Sequence, residues 1–269
     1  PPGTSPMALE DHLIFSKDSE DRDSPAKASD FDLGVVVSFG YFIPKSIISS
    51  LRLGAINVHP SLLPAYRGAA PITWSILRGD DMTGISVIEV DPENFDCGNI
   101  LLQVKEQIFP DEMYLSARER LSVLGADCLS AAIRNMELGV RPNLPQMREV
   151  ETTPAWKLTT RHGKIRFVTQ GSANTKKRKQ LQCGSLNLCD SPTSRELYNR
   201  WRALSETVGV SVDWLYSERH AVIKTLRLIK VGFPENFKWE NNDGVNQSDD
   251  VSVGTMIWCT RTKRLMLKC

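Results

Sequence analysis

The chain has 269 residues and little of what marks several large enzyme classes. Its six cysteines, at 97, 128, 183, 189, 259 and 269, form no Cys-x-x-Cys pair and have no histidine at zinc-ligand spacing, which excludes a zinc ribbon and a thioredoxin-type motif. Their scatter suits a reducing compartment. No Gly-x-Ser-x-Gly elbow, Walker loop or Gly-x-Gly-x-x-Gly fingerprint occurs, so neither a serine hydrolase of the elbow type nor a glycine-loop nucleotide enzyme is indicated. No apolar run is long enough to cross a bilayer, and "PPGTSPMALEDHL" has neither a basic n-region nor an apolar h-region. The formal charge is only +1, which argues against wholesale capture by nucleic acid and leaves room for a local basic face.

What is present is 41% hydrophobic residues, enough for one large domain or two ordinary ones. Residues 1–30 are rich in Ser, Pro and Asp and read as a disordered polar tail. Residues 31–140 read as an α/β catalytic domain. In it, Leu33–Val37 is a short apolar run expected to form a strand covered on both faces, and "GAINVH" (54–59) and "GISVIEV" (84–90) are two more such strands. "NILLQVKEQIF" is expected to pair with the last of these as a hairpin across the turn-like "DPENFDCG". A short helix is expected over 46–53, another from Pro71 to Arg78, and a long amphipathic one from Tyr114 to Leu138. Prolines at 142, 145 and 154 make 141–155 a linker, and 156–269 reads as a mostly β second domain with one helix capped near 191–194.

Three polar residues of the first domain suggest chemistry. Asn57 and His59 are two positions apart at the carboxyl end of a strand, so both side chains point to one face, where open α/β sheets bind ligands. An amide donor and an imidazole can hold a developing oxyanion, and a carboxylate such as Asp96 can orient the ring and favour its charged form. Taken singly, His59 equally fits a hydrogen-bonded structural histidine, and Asp96 a turn aspartate bonded to its own backbone. Cys97 has no positive field around it in sequence and reads as packing.

The segment "NVHPSLLPAYRGAAPITWSILRGDDMTGISVIEVDPENFDCGNILLQ" resembles the catalytic segment of the folate-dependent formyltransferases. Asn-x-His followed by Ser-Leu-Leu-Pro is similar across that family, and Arg67–Ile72, Gly79–Asp80 and Thr83–Gly84 resemble more narrowly its members that act on methionyl-tRNA or on sugar nucleotides. "DLGVVVSFGYFIPKSII" and "AWKLTTRHGKIRF" resemble the strand near the folate site and the start of the C-terminal domain. The family's opening strand and helix, its basic tRNA loop and its last C-terminal strands are expected to lie outside this chain.

The resemblance implies a Rossmann-like formyltransferase domain with an incomplete parallel sheet, followed by a smaller OB-like domain that binds tRNA and carries a basic insertion at 168–190. It implies an enzyme that moves a formyl group from 10-formyltetrahydrofolate to the amine of methionyl-initiator tRNA in translation initiation. Asn57, His59 and Asp96 would be catalytic. Phe39, Gly40, Tyr41, Ser61, Leu62, Leu63 and Pro64 would bind the folate, and Arg67, Lys176, Lys177, Arg178 and Lys179 the tRNA. Arg67 has the alternative of pairing with Asp80 or Asp81, and the basic run that of a solvated loop. No metal, no membrane contact and a monomer are implied, in the mitochondrial matrix or, for a bacterial source, the cytosol. Transfer to a small amine or amino-sugar nucleotide, and an RNA-binding remnant without turnover, are the competing readings.

Overall fold

A computed structural model describes residues 30–146, 152–166, 182–183, 186–187, 193–217, 222–227, 256–259 and 264–267. The polar tail at 1–29, the run Lys176–Lys179 and most of the 168–190 insertion lie outside the described residues. The chain resolves into two compact units.

The first unit comprises residues up to Ile72 together with Asp81–Ile108 and Ala117–Ala155. It contains a four-stranded sheet in the order β1 (Gly34–Val37), β2 (Ala55–His59), β3 (Met82–Glu89) and β4 (Ile100–Gln107). β1 and β2 run parallel, whereas β2 with β3 and β3 with β4 are antiparallel. The expected incomplete parallel sheet is therefore a mixed one. Burial of both faces of β2 and β3 produced their apolar runs, and a central antiparallel strand buries both faces just as a parallel one does. β1 departs from expectation as well: Val35 and Val37 are 47% and 56% exposed, because among the described residues β1 pairs only with β2 and one of its faces is open.

Helix α1 (Lys45–Ser50) follows β1. Helix α2 (Pro71–Arg78) starts on the proline, whose fixed φ and missing N–H suit a first helical turn, and stops at Gly79 with φ 74°. Helix α3 (Tyr114–Glu137) presents Leu121, Gly125, Cys128 and Ala132 as a buried stripe at three- and four-residue spacing. A Cβ on Gly125 would lie 3.2 Å from Val58 and 3.7 Å from Ile85, so the helix rides close on β2 and β3.

Of the expected linker 141–155, the described residues 141–146 and 152–155 include several bonded to the first unit. Leu144 bridges to Ile100 at the start of β4, Pro154 bridges to Arg67, and Ala155 exchanges backbone hydrogen bonds with Arg67 and Ala70. Extended, proline-punctuated chain has the composition of a linker whether or not it is strapped to a sheet.

The second unit comprises Thr73–Asp80, Phe109–Ser116 and the chain from Trp156 onward. Its three-stranded sheet has the order β5 (Lys164–Arg166), β8 (Ser211–Ser217), β9 (Val222–Arg227). Two short hairpins, β6–β7 (Gln182–Cys183 and Leu186–Asn187) and β10–β11 (Met256–Cys259 and Arg264–Leu267), are separate from it. Among the described residues these strands form three sheets and no single closed barrel. Helix α4 (Ser194–Leu204) has the expected cap: Thr193 accepts from Glu196 N while the Glu196 carboxylate accepts from Thr193 N, a reciprocal capping box. Among the described residues, no helix is long and apolar enough to cross a membrane.

Candidate functional site

The β3–β4 hairpin carries the loop that builds the site. Asp91 accepts from the amides of Glu93 and Asn94, both at 2.8 Å, and starts the turn. The loop returns through Gly98, where an added Cβ would stand 1.8 Å from Glu89 O, so only glycine passes. Between these points Asp96 sits in the left-handed region at φ 56° and turns its carboxylate toward the end of β2.

There it meets the strand pair. Asn57 Nδ2 donates to Asp96 Oδ1 at 3.2 Å, and His59 Nδ1 lies 3.5 Å from the same oxygen. The other oxygen, Oδ2, accepts from the backbone N–H of Gly68 at 2.9 Å. His59 Nε2 faces the Tyr66 carbonyl oxygen at 2.9 Å. Each ring nitrogen thus faces an oxygen. The structure brings Asn57, His59 and Asp96 to one point from a strand tip and a distant turn.

An open cleft begins at this point, with room for about 60 Å³ of enclosed space. Asn57 and Asp96 line it, whereas His59, almost fully buried, stands behind them. Its walls are aromatic: Phe39 and Tyr41 pack at 5.6 Å, and Phe42 meets Phe95 edge-on at 5.1 Å. Asp91 and Asn94 add polar groups at the rim. Apolar walls with a few convergent polar groups are the usual make-up of a small-molecule site. The non-glycine residues of positive φ among the described residues are Ser38, Tyr66 and Asp96. Ser38 leads into Phe39, Tyr66 holds the His59 ring, and Asp96 is the carboxylate itself; such conformations cost of order 1–3 kcal/mol each and gather at functional sites.

The residues expected to bind folate divide. Phe39 and Tyr41 line the cleft, with Gly40 between them in sequence. Ser61, Leu62, Leu63 and Pro64 do not line it. Ser61 is wholly buried, and Ser86 Oγ donates to Ser61 O at 2.7 Å while accepting from Leu63 N at 3.2 Å. The short polar loop is thereby tied into the sheet, which gives Ser-Leu-Leu-Pro a packing role in this structure. Arg67 pairs with neither Asp80 nor Asp81 as the alternative had it; its guanidinium donates to Gln146 Oε1, through Nε at 3.0 Å and through Nη2. Cys97, next to Asp96, has its thiol pushed up by burial, with the nearby Arg67 charge opposing, so it is no ready nucleophile.

Sequence reasoning missed Gly68, Phe42, Phe95 and Gln146. Gly68 was visible only as part of the Arg-Gly-Ala-Ala-Pro string, and Gln146 sat among prolines that read as a linker.

Comparison with known proteins bears on this geometry. A family model described as formyl transferase matches residues 15–133, a span that holds Asn57, His59 and Asp96. Residues 15–133 are thus similar to formyl transferases. Over 115 residues the chain is 48% identical to the methionyl-tRNA formyltransferase of Syntrophus aciditrophicus, covering 43% of this chain and 36% of that one. The chain thus spans about a third of the length of the first curated relatives it matches. Among solved structures, HypX from Aquifex aeolicus in complex with tetrahydrofolic acid aligns at TM-score 0.51 and 17% identity, covering 70% of this chain and 29% of that one. A Mycobacterium tuberculosis protein described as a likely sugar N-formyltransferase aligns at TM-score 0.51 and 19% identity, covering 76% and 75%. These two show likeness of fold.

Proposed function

We propose that the domain transfers a formyl group from 10-formyltetrahydrofolate to the α-amine of methionine esterified to initiator tRNA. The observation that carries this reading is the meeting of Asn57, His59 and Asp96 at the polar end of an aromatic cleft. A pterin is a flat, polar-edged ring, and the Phe39, Tyr41, Phe42 and Phe95 walls offer it stacking surface. The similarity to methionyl-tRNA formyltransferases supports this choice of acceptor.

In the proposed step the amine lone pair attacks the formyl carbon and the carbonyl electrons move onto oxygen. Asn57 has two amide hydrogens; one is held by Asp96, and the other is free to meet that oxygen. Asp96, with lone pairs left beyond its bonds to Asn57 and Gly68, receives the proton of the attacking nitrogen, directly or through water. Collapse of the tetrahedral adduct re-forms the carbonyl and breaks the bond from carbon to the folate nitrogen, which leaves with the proton that Asp96 took from the amine, restoring the carboxylate. His59, whose Nε2 is engaged by Tyr66 O, serves as imidazolium to steady the Asp96 charge. In this reading it supports the carboxylate, since it is almost fully buried and does not line the cleft.

In the same reading the second domain, OB-like by resemblance, holds the tRNA, with Lys176, Lys177, Arg178 and Lys179 contacting phosphates; binding should then weaken steeply with salt. The mitochondrial matrix remains the proposed compartment. The deciding experiment mixes the chain with 10-formyltetrahydrofolate and methionyl-tRNA and follows tetrahydrofolate release and formylmethionine. Transfer that falls by about a hundredfold or more in Asp96→Asn, while remaining measurable, supports the mechanism. Binding of tRNA with no turnover points to the RNA-binding remnant, and turnover only with amino-sugar nucleotides to the small-amine enzyme.

A further inference from the structure

The site just described is closed from outside the segment that matches the formyl transferase family. Gln146 lies beyond residue 133, in the proline-rich stretch after α3, yet it is 8% exposed and every polar atom of its side chain is used. Its Nε2 donates to Asp96 O at 2.8 Å and to Gly98 O at 2.9 Å. Its Oε1 accepts from Arg67 Nε and Nη2. The partners fix which end is which, since two carbonyls require the amine end and a guanidinium requires the oxygen. No other neutral side chain of this length presents two donors and an acceptor in one plane.

We propose that Gln146 is a positioning residue for the transfer, clamping the Asp96 turn so that its carboxylate stays between Asn57 and the attacking amine. Asp96 holds a left-handed φ of 56°, a conformation that costs free energy unless its surroundings enforce it. Its own carboxylate supplies part of that enforcement through Asn57 and Gly68, but these are the bonds that must stay aligned during proton transfer. The Gln146 amide grips the backbone on both sides of Cys97, so the turn is held without using the carboxylate at all. Arg67, one residue before the Gly68 amide that bonds Asp96, is fixed by the same side chain. Gln146 itself is anchored by Leu144, whose N–H and C=O both bond Ile100, at 3.3 and 2.8 Å. The strap therefore couples the Asp96 turn, the Gly68 amide and the start of β4 into one piece.

The catalytic part of this inference rests on the formyl-transfer reading, and its test has an arm that does not. The full 269-residue chain is compared with Gln146→Glu and Gln146→Met. Glutamate keeps the partner of Arg67 but presents carboxylate oxygen to two carbonyls; methionine keeps the volume and removes both functions. Hydrogen exchange is measured at the Gly68 amide and at the β2 amides. We expect exchange at Gly68 to quicken about tenfold or more in both variants while β2 is unchanged, as a local opening requires. With methionyl-tRNA and formyl donor, kcat should fall between about tenfold and a hundredfold with KM for the donor within about twofold. In an Asp96→Asn background Gln146→Glu should add less than about threefold, because both changes act on one group.

Unchanged Gly68 exchange, or equal quickening at Gly68 and throughout β2, overturns the proposal. So does full additivity with Asp96→Asn. A parent chain that transfers no formyl group counts against the proposed function, and the exchange arm then decides the clamp alone.

Discussion

Asn57 and Asp96 are 39 positions apart in sequence and share a hydrogen bond at 3.2 Å, from Nδ2 to Oδ1. The bond spans two elements that β3 holds in register: Asn57 is opposite Ile88, and the loop bearing Asp96 leaves β3 just beyond. It does two things at once. It aims one N–H of the amide at Asp96, and it leaves the second uncommitted to Asp96 beside the cleft that both residues line.

The first prediction follows from that aim. Asn57→Ala removes the donor to the developing oxyanion and should lower kcat by about a hundredfold or more, with little change in KM for the formyl donor. Asn57 is half-buried at the rim, so the melting temperature should shift little. Single-turnover formyl transfer with saturating donor measures it; a loss under about threefold would remove Asn57 from the oxyanion role.

Gly68 supplies the second. It stands at φ 124°, outside the range open to side chains, and an added Cβ would meet Ala155 O at 2.7 Å. Its N–H is also the donor to Asp96 Oδ2. Gly68→Ala should destabilise the fold by about 1–3 kcal/mol and reduce turnover together, since the backbone must rotate to admit the methyl. Urea titration beside the transfer assay would show both. A variant of parental stability and activity would mean that the Asp96 bond to Gly68 contributes nothing.

How far the sequence disclosed this arrangement depended on whether each feature leaves a local trace. Pro71 and Gly79 bound α2 through conformational preferences that operate anywhere, and the Leu121, Gly125, Cys128, Ala132 stripe has a period only a helix satisfies. The proximity of Asn57 to His59 followed from strand alternation alone. Strand direction left no such trace, because β2 and β3 look alike parallel or antiparallel. Gln146 left none either: its importance comes from carbonyls nearly fifty residues upstream, whose unpaired state exists only in the folded turn. His59 showed the limit from the other side. Its residue type suggested a donor in the cleft, while its burial and its bond to Tyr66 O place it behind the carboxylate.

Ser86 tests the packing role of the Ser-Leu-Leu-Pro loop. Its hydroxyl is wholly buried, donates to Ser61 O, and accepts from Leu63 N and from Gln103 Nε2 at 2.8 Å. Ser86→Ala leaves a buried carbonyl short of a donor and a buried amide without its acceptor, a loss of about 1–3 kcal/mol. The smaller Asn57→Ala effect on stability gives the contrast. Should Ser86→Ala melt with the parent, the loop is held by other means and the folate-binding assignment of these four residues regains its footing.

The second unit offers a pH test. Tyr198, 8% exposed, donates its hydroxyl to Asp111 Oδ1 at 3.0 Å, which ties residues 109–116 to α4. Burial first, and then the bond to the Asp111 carboxylate and its charge, raise the phenol above its ordinary value of 10.0; Arg202 and Arg195 oppose weakly. The sign is set by which form is favoured. The protonated phenol is stabilised in the folded chain, so its contribution is fully present below the unfolded value and is lost as pH rises through the higher folded one. Tyr198→Phe should cost about 0.5–1.5 kcal/mol at neutral pH. The gap between parent and variant should then close in strongly alkaline solution, and the most resistant component of the parent's phenolate absorbance titration should vanish in the variant. A gap that persists unchanged across that range would show that the Asp111 bond is not what sets Tyr198 apart.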